Sequence, residues 1–113
     1  MKNLVILIGR IGETPATRQI GDAKSVTSFS LVTTSPKIAD GKRVINAKTG
    51  YRETHDEWHR VTAFNGLGKT VAEHKKKGEL VEVQGRLHYS KWADNAGSER
   101  YSVEIVADEI LFL

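Results

Sequence analysis

The sequence predicts an all-β domain: a small five-stranded barrel with one short helix between its third and fourth strands. Three observations carry this. Runs rich in β-branched residues recur along the chain, separated by Gly, Pro, Asn and Asp turn signals. Only one stretch, residues 67–77, has helical spacing. Glycines fall inside the strand-like runs, at Gly9, Gly12 and Gly85, where a tightly coiled barrel needs bends and bulges.

Residues 4–11 open the barrel. The apolar run from Leu4 to Ile8 is shorter than the ~7–15 residues of a signal-peptide core, and no small-residue cleavage site follows. Nothing approaches the ~20 residues of a membrane span, so the run reads as a buried strand. Thr17 to Ile20 is a further strand or turn segment, and Gly21-Asp22 is a turn. Ser25 to Thr34 alternates, with Phe29, Leu31 and Thr33 on one face and Ser28, Ser30, Val32 and Thr34 on the other, as a half-buried strand does. Residues 35–56 break the pattern with Ser35-Pro36, Asp40-Gly41 and Thr49-Gly50, and they are basic through Lys37, Lys42, Arg43, Lys48 and Arg52. They read as a long hairpin arm or mobile loop between the second and third barrel strands. Connections of this length are uncommon unless they serve a function.

The third barrel strand covers residues 57–64 and ends at Asn65-Gly66. Leu67 and Val71, at i and i+4, mark the inner face of the helix over 67–77. Lys75-Lys76-Lys77 before Gly78 read as helix-stop chemistry. Residues 80–92 form the fourth strand, and Asp94 to Ser98 a hairpin loop. A fifth strand runs from Arg100 to Val106, and an apolar segment from Ile110 to Leu113 follows. The order β-β-β-α-β-β is that of an OB-fold, a Greek-key barrel that binds oligonucleotides or oligosaccharides. One such domain spans residues 1–113.

Composition agrees. A chain of 113 residues suits one domain, and 39% hydrophobic residues can build a core. There is no cysteine, which excludes disulfides, iron–sulfur clusters and thiolate zinc sites and points to a cytoplasmic home. Residues 101–113 hold Glu104, Asp108 and Glu109 and no Lys or Arg. The first 100 residues therefore carry 17 basic and 11 acidic groups, a net +6. Such a body suits a polyanionic partner.

Two motifs invite enzymatic or metal chemistry and fail on spacing. Gly66-Leu67-Gly68-Lys69-Thr70 resembles the end of a phosphate-binding loop, but the glycine required five positions before Gly68 is Ala63, inside a strand. His55 and His59 are four apart on a strand, which separates them by roughly 13 Å at ~3.3 Å per residue. Metal–nitrogen bonds of ~2 Å cannot bridge that gap. No catalytic constellation, cofactor or metal site is expected.

The aromatic residues are more informative. Strand alternation puts Trp58, Arg60, Thr62 and Phe64 on one side and His59, Val61 and Ala63 on the other. Likewise Arg86, His88, Ser90 and Trp92 share a side opposite Leu87 and Tyr89. Large rings among polar and basic neighbours suit a platform on which unpaired bases stack beside charges that hold phosphates. Phe29, Phe112, Tyr89 and Tyr101 fall on apolar faces and are expected in the core. Tyr51, in the basic arm, is equally placed for structure or stacking.

These residues resemble the bacterial single-stranded DNA-binding (SSB) family nearly end to end. The resemblance runs through Asn3–Gly12, Thr14–Arg18, Phe29–Thr33, Glu57-Trp58-His59-Arg60-Val61, Phe64, Lys77-Gly78, Val83–Leu87, Lys91-Trp92, Tyr101 and Val106-Ala107-Asp108. It implies an OB-fold homo-oligomer, usually a tetramer, that binds single-stranded DNA with little sequence preference in replication, recombination or repair. Trp58, Phe64 and Trp92 match the family's base-stacking positions, and His59 matches an oligomer-interface position. Arg60, Arg86, Lys91, Tyr51, Lys37 and Arg43 complete the expected DNA-binding set. Where the family often carries a further stacking Trp, this chain reads Ser35-Pro36-Lys37-Ile38, so that stacking role is either missing or taken over by Tyr51. The typical member continues into a disordered linker and an acidic tip that recruits replication and repair enzymes. This sequence stops at Leu113, either because it is trimmed or because the tail is naturally missing, which leaves tail-dependent replication and repair partners in doubt. The rival reading is a primosomal-type OB-fold assembly factor acting through protein contacts, which need not keep the Trp58, Phe64 and Trp92 set.

Overall fold

The computed structural model describes residues 1–113. Eight strands and one helix follow in order: β1 (Val5–Ile11), β2 (Ala16–Gln19), β3 (Ser25–Pro36), β4 (Ile38–Ala39), β5 (Lys42–Arg43), β6 (Thr54–Phe64), α1 (Asn65–His74), β7 (Leu80–Ala93) and β8 (Glu99–Phe112). The main sheet runs β1-β7-β8-β6-β3-β2, and β1 also pairs with β3. That extra pairing closes β1, β7, β8, β6 and β3 into a five-stranded barrel, with β2 on the outer edge of β3. Neighbours are antiparallel except β6 and β8, which pair in parallel at Val61↔Ile105 and Thr62↔Val106.

The seam is narrow: only Arg10↔Val32 and Ile11↔Leu31 pair across it. A Cβ at Gly9 would lie 2.4 Å from the Val32 carbonyl oxygen, so only glycine lets β1 approach β3 this closely. Inside the closed ring the alternate residues meet. Ile11, Phe29, Leu31, Val61, Ala63, Val81, Val83, Ile105 and Ala107 form one core, and Val71 of α1 joins it from the end of the barrel. Each fully buried aliphatic chain contributes about 1.5–3 kcal/mol.

The helix begins earlier and stops earlier than its spacing predicts. Asn65 adopts φ +53 and its Oδ1 accepts the Ser25 N–H, which turns the end of β6 directly into α1. Gly66 to Thr70, the stretch resembling a phosphate loop, is the start of this helix. Lys75 is already extended, and its N–H closes the last turn on the Val71 carbonyl. Lys75 is buried, with its ammonium 5.2 Å from the Phe112 ring centroid and 3.8 Å from Glu79. The lysine run is thus partly a packing element.

Three further differences from the sequence-based expectation have physical causes. First, the expected fifth strand and the terminal apolar segment are one strand, β8. A register shift at Gln84/Gly85 passes over Asp108 while Glu109 stays paired with Gln84, so Asp108 bulges the strand instead of ending it. Second, Tyr89 and Tyr101 are not core; they are 69% and 72% exposed. Leu87↔Ile105 is the last inward pair over the core, and β7 and β8 continue past it as a two-stranded hairpin. Phe112 is also partly exposed, resting against Lys75 and His74 at the rim. Third, β1 is not buried on both sides: a barrel strand covers the core with one face only, and Ile6 and Ile8 on the other are each 54% exposed. The expected hairpin arm over residues 35–56 is present. β3 and β6 remain in register out to Pro36↔Thr54, β4 and β5 form a short hairpin, and Ile45 bridges Arg52. No helix is long and apolar enough to cross a membrane.

Closure through Gly9 predicts that Gly9→Ala forces the seam apart. The unfolding free energy should fall by about 1–3 kcal/mol, the usual cost of overpacking. Urea titration followed by far-UV circular dichroism measures it, and an unshifted midpoint would show that the seam tolerates a side chain.

Candidate nucleic-acid interface

The outer face of β3 and β6 is a ladder of unequal pairs. Val32 faces Trp58, Ser30 faces Arg60, Ser28 faces Thr62 and Val26 faces Phe64. Opposite these β3 residues, Trp58, Arg60 and Phe64 stand above the sheet, while Thr62 between them is buried. Trp58 is 62% exposed and Phe64 43%, and Trp92, on the β7–β8 hairpin, is 53% exposed. Trp58 is nevertheless placed. A Cβ at Gly12 would lie 2.4 Å from its Cζ3, so the ring lies against the bare backbone after β1.

Two grooves run along this face and share Ser28 and Arg60. One, about 270 Å³, has Trp58 and Glu13 on its walls. The other, about 410 Å³, has Phe64, Arg18 and Glu104. Arg60 therefore stands between two aromatic stations, where a phosphate linking two stacked bases would pass. It makes no ion pair within the chain, and neither do Arg18, Arg43 and Arg86. These guanidiniums are free to bind phosphate bidentately.

Other site residues expected from sequence sit further out. Lys91, on the hairpin, is held 2.9 Å from Glu99, and Lys37, at the base of the arm, 3.4 Å from Glu53. Exposed pairs like these are worth only ~0–1 kcal/mol, so a polyanion can replace the carboxylate. Arg43 and Tyr51 lie on the arm, where the Tyr51 carbonyl accepts the Asn46 N–H and the side chain is exposed. His59 points away from Trp58, as alternation requires. It is half-buried, with Nε2 2.8 Å from the Thr33 hydroxyl. His55 lies 3.7 Å from Glu57 instead of sharing a ligand with His59. No group of three His, Asp or Glu side chains is placed to hold a metal.

The structure adds residues that sequence reasoning omitted. Arg18 reaches the Phe64 groove because β2 pairs with β3 at Arg18↔Val26, next to Val26↔Phe64. Glu104 reaches it because β8 lies beside β6. Composition hinted at Arg18, a cation in a short exposed strand, but only the register gives its neighbour.

The hairpin that carries Trp92 is pinned at its tip by Asp94. The carboxylate accepts the Ser98 N–H at 2.9 Å, the Arg100 Nε–H at 2.9 Å and the Ala96 N–H at 3.0 Å. Trp92 pairs with Arg100 across the hairpin, so this tip orders the strand beneath the ring. The Ser98 hydrogen bond first, then Arg100, hold the Asp94 carboxyl below its ordinary value; slight burial opposes them.

Comparisons with known proteins bear on the same face. Residues 2–113 match the model of the single-strand binding protein family. Three curated relatives, each named single-stranded DNA-binding protein, are 37% identical over 111 residues, 98% of this chain. They come from Xanthomonas campestris pv. campestris, Xanthomonas axonopodis pv. citri and Xylella fastidiosa. The matched stretch covers 60%, 57% and 63% of their lengths, so the chain spans about three fifths of those relatives. A solved structure described as a Plasmodium falciparum SSB complex with ssDNA superposes with a TM-score of 0.83 at 25% identity. The superposition covers 100% of this chain and 96% of that one.

Two outcomes follow from this geometry. In a Trp92→Phe background, where Trp58 is the only indole, Gly12→Ala should displace the ring and shift its fluorescence while the fold is retained. Unchanged emission would show that the ring does not rest on Gly12. The depressed Asp94 carboxyl gives a contribution that is complete above the ordinary carboxylate range near ~3.9 and is lost as pH falls through its lowered value. Amide exchange at Ala96 and Ser98 should therefore be protected at neutral pH, and Asp94→Asn should remove much of that protection.

Proposed function

The chain belongs to the single-strand binding protein family, and from that premise we propose that it binds single-stranded DNA without marked sequence preference and shields it during replication, recombination or repair. The binding is non-catalytic. The observation that carries this reading is the exposure of Trp58, Phe64 and Trp92 on polar strand faces, with the unpaired Arg60 between the first two. Rings that stand outside the core and keep 43–62% of their surface exposed are available to stack on bases, at about 1–3 kcal/mol per base. Duplex DNA keeps its base faces inside the stack, so it cannot use them. Arg60, Arg86, Arg43, Lys37 and Lys91 neutralise phosphates along the path, and Tyr51 offers a further ring on the arm. The names of the curated relatives and the DNA in the Plasmodium complex support the same reading.

The working form is a homo-oligomer, in this reading a tetramer. Support comes from the outer face of β1, where Ile6 and Ile8, with Leu4 just before the strand, are about half exposed in a contiguous aliphatic row. A single barrel gains nothing from that exposure. The half-buried position of His59, bonded to Thr33 on the side away from the aromatic face, supports a role for it at a subunit contact. The setting that supplies unpaired DNA is the nucleoid, in the cytoplasm.

Titration with oligo-dT at low salt should quench tryptophan emission. Trp58→Ala and Phe64→Ala should each weaken binding by about 1–3 kcal/mol, roughly five- to 150-fold. The logarithm of affinity should fall with the logarithm of salt concentration by ~0.7 per phosphate contact. Absence of both quenching and a gel shift would overturn the reading. Light scattering should give the mass of four 12.6 kDa chains.

A further inference from the structure

The groove beside Phe64 contains a group that attraction of a polyanion does not explain. Glu104 lines it together with Arg18 and Arg60, yet neither arginine pairs with it. Instead the Thr62 hydroxyl donates to Glu104 Oε2 at 2.8 Å, and His88 Nδ1 lies 3.4 Å from Oε1. Thr62 is buried and Glu104 half-buried, so the carboxylate is oriented on a fixed hydroxyl and does not swing freely in solvent. A negative charge here repels phosphate. It therefore favours a base over the backbone at this end of the groove.

An oriented carboxylate can only accept hydrogen bonds, and each of its oxygens retains a free acceptor position after the contacts with Thr62 and His88. Bases differ in what they can offer it. Guanine presents N1–H and an N2 amino group side by side, two donors matched to two oxygens. Adenine and cytosine each set one amino donor beside a ring nitrogen acceptor. Thymine places its N3–H between two carbonyl oxygens, both repelled by the carboxylate. We propose that Glu104 reads the edge of the base stacked on Phe64 and favours guanine over thymine at that station. Thr62 is the positioning residue. The preference rests on the single-strand-binding reading above, and it makes one station selective on an otherwise tolerant surface.

The test compares equal-length d(TG) repeats, d(TI) repeats and oligo-dT at one salt concentration, on the wild-type protein and on Glu104→Gln. Inosine keeps the purine ring but lacks the N2 amino group. The wild-type preference for d(TG) over oligo-dT should exceed that of Glu104→Gln by about fivefold, or ~1 kcal/mol at 1.4 kcal/mol per tenfold. Affinity of the wild-type protein for d(TI) should fall between the other two. Glu104→Gln should also bind oligo-dT more tightly, because a like charge is gone. Thr62→Val, which keeps the charge but removes its anchor, should reduce the preference. Equal preference in wild type and Glu104→Gln overturns the inference while leaving DNA binding intact, whereas failure to bind any of the three overturns the functional reading instead. Should Glu104→Gln fail to fold by circular dichroism, equal wild-type affinities for d(TG) and d(TI) overturn the inference on their own.

Discussion

β3 and β6 pair over eleven residues, from Val26↔Phe64 to Pro36↔Thr54. Nearly everything else depends on that register. It sends Phe29, Leu31, Val61 and Ala63 into the barrel and leaves Trp58, Arg60 and Phe64 outside, over Val32, Ser30 and Val26. A slip of one residue would invert every side chain on the strand, burying the tryptophan and exposing the core valines. The apolar inner face opposes such a slip, because it would surrender several buried aliphatic chains at once. The binding face is therefore fixed in place by burial on the other side of the same strands.

The same pairing continues beyond the barrel and builds the arm. Past Trp58, β6 has no core beneath it, and its residues toward Thr54 are exposed. The β7–β8 hairpin does the equivalent on the neighbouring strands, with exposed residues beyond Leu87 and Ile105. Two long ribbons thus extend from one compact ring. Their stability comes from the ladder and from local devices such as the Asp94 tip and the nested β4–β5 turn, and little comes from apolar burial. Segments of this kind open at lower free-energy cost than a core and can adapt to a flexible polymer. The grooves that contain Trp58 and Phe64 lie on the rigid part.

The chemistry of the face is a division of labour between charges. Arg18 and Arg60 are unpaired within the chain and flank the aromatic stations, while Glu104 is tied to Thr62 and His88. Cations left free and an anion held in place produce an uneven potential along the groove. Backbone is drawn to the arginines and kept from the carboxylate. Aromatic exposure by itself cannot produce that pattern, since an uncharged ring stacks on any base whichever edge that base presents.

Much of this was legible in residue order, where the physics is local. Alternation along a strand is a property of two consecutive peptide units, so the sidedness of Trp58, Phe64 and Trp92 and the burial of Phe29 followed without a structure. The one helix, its i, i+4 apolar pair and the basic arm were local in the same sense. What only the tertiary structure decided depends on where the barrel stops and which distant strands become neighbours. Tyr89 and Tyr101 obey the inward period but lie past the last core pair, so periodicity alone misplaced them. The fifth strand was expected to end at Val106, and only the ladder to β7, which resumes at Glu109 after skipping Asp108, makes the segment one bulged strand. Lys75 lies beneath Phe112, and Glu104 meets Thr62 across 42 residues of chain, because closure brings those strands together. Side-chain direction is set within a few bonds, whereas solvent exposure and company are set by the whole ring.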